Sequence, residues 1–388
     1  MRSIKKRGGL WQLFCGAVLG LYLSAPAYAF TPADSPLLSG AAVPPNVMLL
    51  IDDSGSMNNI IWASGFNPNA NYAQIAICSS NSSCSNGQYL DMSDTNILLS
   101  SLNRGGCSTS GNWYGFYRGF LGLTPVCLKL PDPVGNENTR YTADYLSYLV
   151  GLVNGSSKDF TTGASAIPNE YRISVAQDVS TSLVSNNRAL RIGLATFNPP
   201  TTSNSGGGGF IARSISDLSA VSGSVTQAQA DTNYNNLIAA INGLSAVANT
   251  PLAETYYEIN RYFRGLAPFY NSTPATYTSP IQYRCQKNYG VVITDGLPTY
   301  DRTFPATDPL AGTRLPNWDG VNNDGDNLNG DKEGDTLYLD DIAKFGFDID
   351  MRSAGTDLAG KSWNAGDFPK QNINTYTVGF TAANQMLS

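Results

Sequence analysis

The sequence contains no histidine among its 388 residues. This absence excludes Ser-His-Asp triads, Cys-His nucleophiles and histidine-ligated zinc sites, because each of them needs an imidazole. Charged residues are also few, at 14% of the chain. No paired-carboxylate motif stands out, so we predict that the chain is not an enzyme. A hydrolase would have to work with carboxylates and a metal alone.

Long apolar runs are missing except at the N-terminus, where residues 10–23 form one. Basic residues precede this run and an Ala27-Tyr28-Ala29 sequence follows it, which predicts a signal peptide over 1–29 that is cleaved before Phe30. The alternative is a membrane anchor, but the run is too short to span a bilayer. We therefore predict an exported protein with no membrane span after cleavage.

Positive charge is scarce once the leader is removed. Lys+Arg falls from 24 to 20 against 30 Asp+Glu, which leaves a net charge of −10. An acidic protein does not favour nucleic acid as a partner. The same charge suits the binding of cations.

Five cysteines remain after the leader, and in an exported protein we expect them to form disulfides. The favoured pairs are Cys78–Cys84 and Cys107–Cys127, which leave Cys285 unpaired. Alternatively, Cys285 pairs with a cysteine of residues 58–168 and leaves a different thiol free, or its partner lies outside this chain.

The most informative motif is Asp52-Asp53-Ser54-Gly55-Ser56-Met57, which follows the apolar run 47–51. The run predicts a short buried strand, and the motif predicts a tight turn that presents a carboxylate and two hydroxyls. These are hard oxygen ligands of the kind that Mg²⁺ accepts. Asp53 is expected to be a turn residue.

Strands and helices alternate after residue 168, which predicts an α/β fold with βαβ units and a mainly parallel, doubly wound sheet. The predicted helices are 170–186, 231–248, a helix that is capped by Thr250, begins at Pro251 and ends near Phe263, and 337–351. The predicted strands are 191–197, an edge strand at 210–215, 289–294 and 374–380.

Three further segments interrupt or precede this pattern. Residues 30–45 read as a Pro-rich linker, and 300–335 as an acidic Gly/Asn-rich loop. Residues 58–168 are predicted to be a large disulfide-containing insertion after the first strand. Its aromatic residues form either a small local core or a binding surface: Trp62, Trp113, Tyr114, Phe116, Tyr117 and Phe120.

Two distant segments offer more oxygen ligands. Thr250 starts a T-P-L-A sequence before a predicted helix, and Asp295 ends a T-D-G sequence after a predicted strand. Together with the D-x-S-x-S turn they resemble the metal-ion-dependent adhesion site of von Willebrand factor A (vWA) domains. The resemblance implies a site for Mg²⁺, or Mn²⁺ or Ca²⁺, held by Asp52, Ser54, Ser56, Thr250 and Asp295, with one position open for a partner's carboxylate. The alternative is a set of capping and turn residues without a metal.

Longer segments resemble the type IV pilus tip and biogenesis proteins of the PilC/PilY family. They are PNVMLLIDDSGSM (45–57), CQKNYGVVITDGLPT (285–299), LDDIAKFGFDIDMR (339–352) and QNINTYTVGF (371–380). The resemblance implies a vWA domain over 46–388, export to the periplasm or outer surface, and placement at the pilus tip. It also implies roles in pilus assembly, adhesion and twitching motility, with pilins, minor pilins and host or surface ligands as partners. Family members continue beyond this point with another helix and strand and a β-propeller.

A second cation site is predicted in the acidic loop. Its residues can be aligned with an EF-hand loop, where the ligand positions fall on Asn322, Asp324, Asp326, Leu328 and Glu333. Asn322 stands where the EF-hand has Asp, and Asn327 where it has Gly. The prediction is Ca²⁺ binding, and the alternative is a solvated acidic loop.

Overall fold

The computed structural model describes residues 43–85, 87–118, 124–200, 207–220, 223–321, 336–364 and 366–379. The predicted signal peptide and residues 30–42 of the predicted linker lie outside these ranges. The five predicted calcium ligands, residues 322, 324, 326, 328 and 333, also lie outside them. Calcium binding by the acidic loop therefore stays a prediction.

Strands and helices are named in chain order. The strands are β1 (Asn46–Ile51), β2 (Ile75–Cys78), β3 (Gly87–Tyr89), β4 (Ile97–Leu98), β5 (Trp113–Arg118), β6 (Thr124–Lys129), β7 (Arg140–Tyr141), β8 (Ser157–Asp159), β9 (Arg191–Phe197), β10 (Gly209–Asp217), β11 (Asn288–Thr294) and β12 (Ile373–Gly379). The helices are α1 (Ala143–Gly151), α2 (Arg172–Asn186), α3 (Gln227–Asn242), α4 (Leu252–Arg264) and α5 (Leu339–Asp348).

A five-stranded sheet in the order β10-β9-β1-β11-β12 forms the centre of the fold. Strands β9, β1, β11 and β12 run parallel, and β10 pairs with β9 in the antiparallel direction at one edge. Every residue of β1 is buried, as expected for the middle strand of a sheet that is covered on both faces. The predicted α/β class and mainly parallel sheet are confirmed.

Helices cover both faces of this sheet. Met48 and Leu50 of β1 pack in one core with residues of α4 and α5, whereas Val47, Leu49 and Ile51 pack in another with residues of α2 and α3. Successive side chains of a strand point to opposite faces, so one apolar run contributes to both cores. The sheet is therefore doubly wound.

Both ends of α3 and the start of α4 differ from the predicted helix boundaries. The helix predicted at 231–248 is α3, and both predicted ends are wrong. It begins earlier because Thr226 and Gln229 form a capping box. It ends at Asn242 and is followed by Gly243, and the N–H groups of Val247 and Ala248 donate instead to the Asp53 carbonyl. The prediction that Thr250 caps α4 is also wrong. Pro251 precedes the helix, and the carboxylate of Asp301 accepts the backbone N–H groups of Ala253 and Glu254 at 2.9 and 2.8 Å.

The insertion between β1 and α2 has a core of its own. Its five-stranded sheet has the order β3-β2-β5-β6-β8, and α1 contributes residues to the same core. Tyr114, Phe116 and Tyr117 are buried, which favours the local-core interpretation of the aromatic residues. Trp62 and Trp113 are half-buried, and Phe120 lies outside the described residues. The sequence does not predict this sheet, because its strands are short and their hydrophobic periodicity is weak.

The cysteine pairs within the insertion agree with the favoured prediction. Cys78 pairs with Cys84 and Cys107 with Cys127, at Cα–Cα distances of 4.8 and 5.8 Å. Cys285 has a free thiol. The alternative pairing of Cys285 with a cysteine of the insertion is not formed.

Candidate metal centre

The D-x-S-x-S turn and Asp295 leave the central sheet at the same edge. Strands β1 and β11 are parallel neighbours with Ile51 opposite Ile293, so the residues after both strands emerge side by side. The Asp52 N–H donates to the Ile293 carbonyl at 2.9 Å and extends the pairing by one residue. Ligand sites of open α/β sheets lie at this carboxyl end of the strands.

Short hydrogen bonds join four of the five predicted metal residues. Ser54 Oγ lies 2.9 Å from Ser56 Oγ, and Ser56 Oγ donates to Asp295 Oδ1 at 2.8 Å. Asp52 Oδ1 accepts the Ser54 N–H at 2.8 Å, and Asp52 Oδ2 accepts the Thr294 hydroxyl at 2.6 Å. Two carboxylates and two hydroxyls from segments far apart in sequence therefore lie close together.

The fifth predicted residue, Thr250, is brought close by its backbone. Ser54 forms a parallel bridge with Ala248, two residues before Thr250. Thr250 also pairs with Thr299, since its N–H donates to Thr299 Oγ1 and its carbonyl accepts the Thr299 N–H, both at 3.1 Å. Among the hydrogen bonds of the described residues, none connects the buried Thr250 hydroxyl to the other four. Thr250 thus lies beside the cluster without being bonded to it.

The cluster is largely buried and is partly open to solvent. Asp52, Ser54, Thr250 and Asp295 are buried, whereas Gly55 and Ser56 are half-buried. Gly55–Asn58 form a 3-10 turn that places this pair at the surface. Gly55 and Ser56 therefore offer a ligand one route to the cluster, and Gly296, which follows Asp295, is half-buried as well.

Burial makes the site electrostatically unfavourable for two free carboxylates. Burial and the neighbouring charge of Asp295 together raise the pKa of Asp52 to about 7. Burial also raises the pKa of Asp53 to about 6, although its carboxylate accepts the Phe197 N–H at 3.2 Å. Asp53 therefore faces β9 as a turn residue, as expected. A divalent cation would stabilise the ionised form of Asp52.

Sequence reasoning did not find Arg172, which contacts the site directly. Its Nη1 donates to Asp295 Oδ2 at 2.7 Å, and its guanidinium lies 5.1 Å from the ring centroid of Trp62. An arginine at the first position of an amphipathic helix carries no local signal for such a role. Thr294 was missed as well, although it belongs to the T-D-G sequence that identified Asp295.

The donor set fits a hard cation. It consists of carboxylate and hydroxyl oxygens, which Mg²⁺ and Ca²⁺ prefer over nitrogen or sulfur. Nowhere in the described ranges do three or more His, Cys, Asp or Glu side chains gather so that they could hold a metal. The cluster has two carboxylates and depends on Ser54, Ser56 and Thr250 for the remaining oxygens, as the predicted site requires.

Comparisons with family models, with curated proteins and with solved structures each returned no match for this chain. None of the helices in the described ranges combines the length and the apolar character that a membrane span requires.

Proposed function

We propose that this chain is a metal-dependent binding module of the vWA type. Asp52, Ser54, Ser56, Thr250 and Asp295 hold Mg²⁺, directly or through water, and Mn²⁺ or Ca²⁺ can replace it. The bound ion offers an electrophilic position to a carboxylate of a partner. The module binds and does no covalent chemistry.

One observation carries this proposal. The Ser56 hydroxyl donates to Asp295 Oδ1 at 2.8 Å across 239 residues of sequence, next to Ser54 and Asp52. A hydroxyl pair and two carboxylates at the carboxyl ends of adjacent parallel strands form an all-oxygen cluster at the place where open α/β sheets bind ligands. The solvent-facing side at Gly55 and Ser56 is consistent with an external ligand.

The biological setting follows from the resemblance to the PilC/PilY family. We place the mature chain at the periplasm or outer surface, at the tip of a type IV pilus, where it takes part in pilus biogenesis, surface attachment and twitching motility. Its partners are pilins, minor pilins and surface or host ligands that present a carboxylate. The two disulfides of the insertion are consistent with an oxidising compartment.

A second candidate function is structural. Here the domain packs against minor pilins, and the metal only stabilises the fold. The buried ion pair between Arg172 and Asp295 favours this alternative, because it already ties the site to the start of α2. The two functions differ in whether metal removal affects binding by tips that are already assembled.

The first test is Mg²⁺ binding by the exported full chain, measured by calorimetry and by thermal unfolding. A ligand present at a hundred times its dissociation constant stabilises the folded state by about 2.7 kcal/mol, so the unfolding temperature should rise with Mg²⁺ and fall back with EDTA. Ser54→Ala and Ser56→Ala should abolish the rise. Ser185→Ala, at an exposed position of α2, is the matched control. An unfolding temperature that is independent of Mg²⁺ contradicts the metal site.

The second test separates adhesion from assembly. Cells that carry Ser54→Ala should assemble pili whose purified tips no longer bind their targets if the module is an adhesin. If the site is structural, the variant lowers the number of pili, and the tips that do form bind as well as wild type. EDTA treatment of preassembled wild-type tips should abolish target binding if the module is an adhesin. It should leave target binding unchanged if the site is structural.

A further inference from the structure

Two arginines from distant parts of the chain flank the D-x-S-x-S turn. The segment after the turn, Asn59–Ile61, pairs with Arg140 through the bond from the Ile60 N–H to the Arg140 carbonyl, at 2.9 Å. The same segment receives the Arg172 N–H at the Asn59 carbonyl, at 3.0 Å. Backbone pairing with residues 59–61 therefore positions Arg140 of the insertion and Arg172 of α2 next to the site.

The two guanidinium groups differ in their ion pairs and hydrogen bonds. Arg172 is paired with Asp295 and stacked on Trp62. Arg140 belongs to none of the ion pairs among the described residues, and its Nη1 donates only to the amide oxygen of Asn96, at 3.2 Å. Its Nε is buried without a hydrogen-bond partner. The nearby charge of Asp94 acts on this guanidinium without forming an ion pair with it. A half-buried guanidinium that has no ion-pair partner gains a charge-assisted hydrogen bond when an anion binds it.

Gly55 brings this guanidinium close to the site. A Cβ atom on Gly55 would lie 2.9 Å from Arg140 Nη1 and 3.3 Å from Arg140 Cζ, so the guanidinium rests against the bare backbone of the turn. Gly55 separates Ser54 from Ser56, the two hydroxyl residues of the cluster. The guanidinium thus lies at the half-buried part of the turn.

Unpaired polar atoms concentrate around the same turn. Buried side-chain atoms without a hydrogen-bond partner here include three donors, Arg140 Nε, Arg172 Nε and Asn249 Nδ2, and one acceptor, Asn59 Oδ1. Asn249 directly follows Ala248, which bridges to Ser54. Unpaired donors outnumber the unpaired acceptor beside this half-buried turn, which favours an acceptor-rich anion as the ligand.

We infer that Arg140 is an anion-binding residue of this site and that the ligand is an acidic side chain of a partner protein. The guanidinium fork holds the carboxylate beside the metal, so the insertion contributes to ligand specificity. This inference rests on the proposed metal-dependent function. It assigns to the insertion a contact that the metal residues do not supply.

The test uses the exported full chain and a short glycine peptide with one central aspartate, acetylated and amidated so that it has a single carboxylate. Binding is measured by NMR titration in Mg²⁺ and in EDTA, with the asparagine peptide as the ligand control. Arg140→Gln should weaken binding of the aspartate peptide on the order of ten-fold in Mg²⁺, because a charge-assisted hydrogen bond is lost. Affinity for Mg²⁺ should rise modestly, because a nearby positive charge is removed.

A second variant displaces the guanidinium without removing it. Gly55→Ala places a methyl group against the end of a flexible side chain, so we expect the same loss of peptide affinity with little change in unfolding temperature. Arg213→Gln is the matched control, since Arg213 is exposed on β10 and donates to the Asn236 carbonyl at 3.2 Å. This control should bind the peptide as wild type does.

The outcomes separate the two proposals. Mg²⁺ binding with unchanged peptide affinity in Arg140→Gln and Gly55→Ala overturns the role of Arg140 and leaves the metal site standing. Peptide binding that depends on Arg140 but is the same in Mg²⁺ and EDTA overturns the proposed metal dependence and supports the role of Arg140. Failure of the wild-type chain to discriminate the aspartate from the asparagine peptide overturns the role of Arg140 as a carboxylate receptor.

Discussion

Arg172 Nη1 donates to Asp295 Oδ2 at 2.7 Å, although 123 residues separate the two in sequence. Both side chains are nearly excluded from solvent, with exposed fractions of 6% and 0%. The other oxygen of Asp295 accepts the Ser56 hydroxyl. One carboxylate therefore joins the start of α2 to the loop after β1 and also contributes one of the two negative charges of the candidate metal site.

Asp295→Asn should destabilise the metal-free protein by about 3 kcal/mol, because it leaves the Arg172 guanidinium buried without a counter-charge. Urea unfolding in EDTA measures this change. Asp231→Asn provides the control, since its pair with Arg188 is partly exposed to solvent and should contribute far less. The double variant Arg172→Met with Asp295→Asn should recover part of the loss. Equal stability of Asp295→Asn and wild type would show that the pair is not held in solution.

The metal-free protein should lose stability as the pH rises from about 4.5 to about 9, because of Glu254. Burial and the charge of Asp301 raise its pKa from 4.5 to about 9, so the folded state keeps a proton that the unfolded state has released over this range. Burial raises the pKa of Asp301 to about 7, and this shift acts in the same direction.

Urea unfolding across this pH range in EDTA measures the effect, and Glu254→Gln should reduce the slope. The carboxyl oxygens of Glu254 accept the Gly208 and Thr303 N–H groups, so the variant loses one of these bonds at a cost of about 1 kcal/mol. Glu170→Gln, at an exposed position, should leave the slope as in wild type. If the free energy of unfolding depends on pH in Glu254→Gln as it does in wild type, Glu254 does not cause the effect.

Loss of the Cys107–Cys127 disulfide should destabilise the insertion more than loss of Cys78–Cys84. The two bridges close loops with sequence separations of 20 and 6 residues. In the chain-entropy account their contributions are about 3 and about 2 kcal/mol, because the longer loop restricts the unfolded chain more. Amide hydrogen exchange of residues 75–130 in the paired Cys→Ser variants gives the local free energy of opening. The reverse order would mean that packing around Cys78 outweighs chain entropy.

Gly290→Ala should destabilise the fold by about 2 kcal/mol through overpacking. A Cβ at this position of β11 would lie directly against the Tyr256 hydroxyl and 2.8 Å from its ring carbon Cζ. Tyr256→Phe alone loses the bond between that hydroxyl and Thr375 Oγ1, at a cost of about 1 kcal/mol. Because Phe makes room for the methyl, the double variant should lose less than the sum of the single changes.

Urea unfolding of the four proteins completes this cycle. Gly151→Ala is the control, since a Cβ there meets nothing within 4 Å, and we expect neutral or slightly higher stability. Additive single and double changes would mean that the tyrosine moves aside without strain.

Local sequence patterns specify the alternation of strands and helices and four of the five residues of the predicted site. Strand β9 coincides with its predicted range, and β1 and β11 begin one residue before theirs. Strand β12 also begins one residue early, and residue 380, the last of its predicted range, lies outside the described residues. Short segments rich in β-branched, aromatic and other apolar residues, bounded by turn residues, specify such strands locally. Asp52, Ser54, Ser56 and Asp295 were identified because they directly follow two of these strands, and parallel neighbours bring such positions together.

The charged residues around the cluster are placed by tertiary contacts, which local patterns do not specify. Asp301 rather than Thr250 satisfies the first N–H groups of α4, because the chain folds back 47 residues later to place a carboxylate there. Arg140 and Arg172 reach the turn through backbone pairing with Asn59–Ile61, and no periodicity or spacing encodes such long-range pairing. Local patterns report which residues can form a strand or hold a cation. Which charges stand next to them depends on contacts between segments far apart in sequence, and those contacts exist only once the chain is folded.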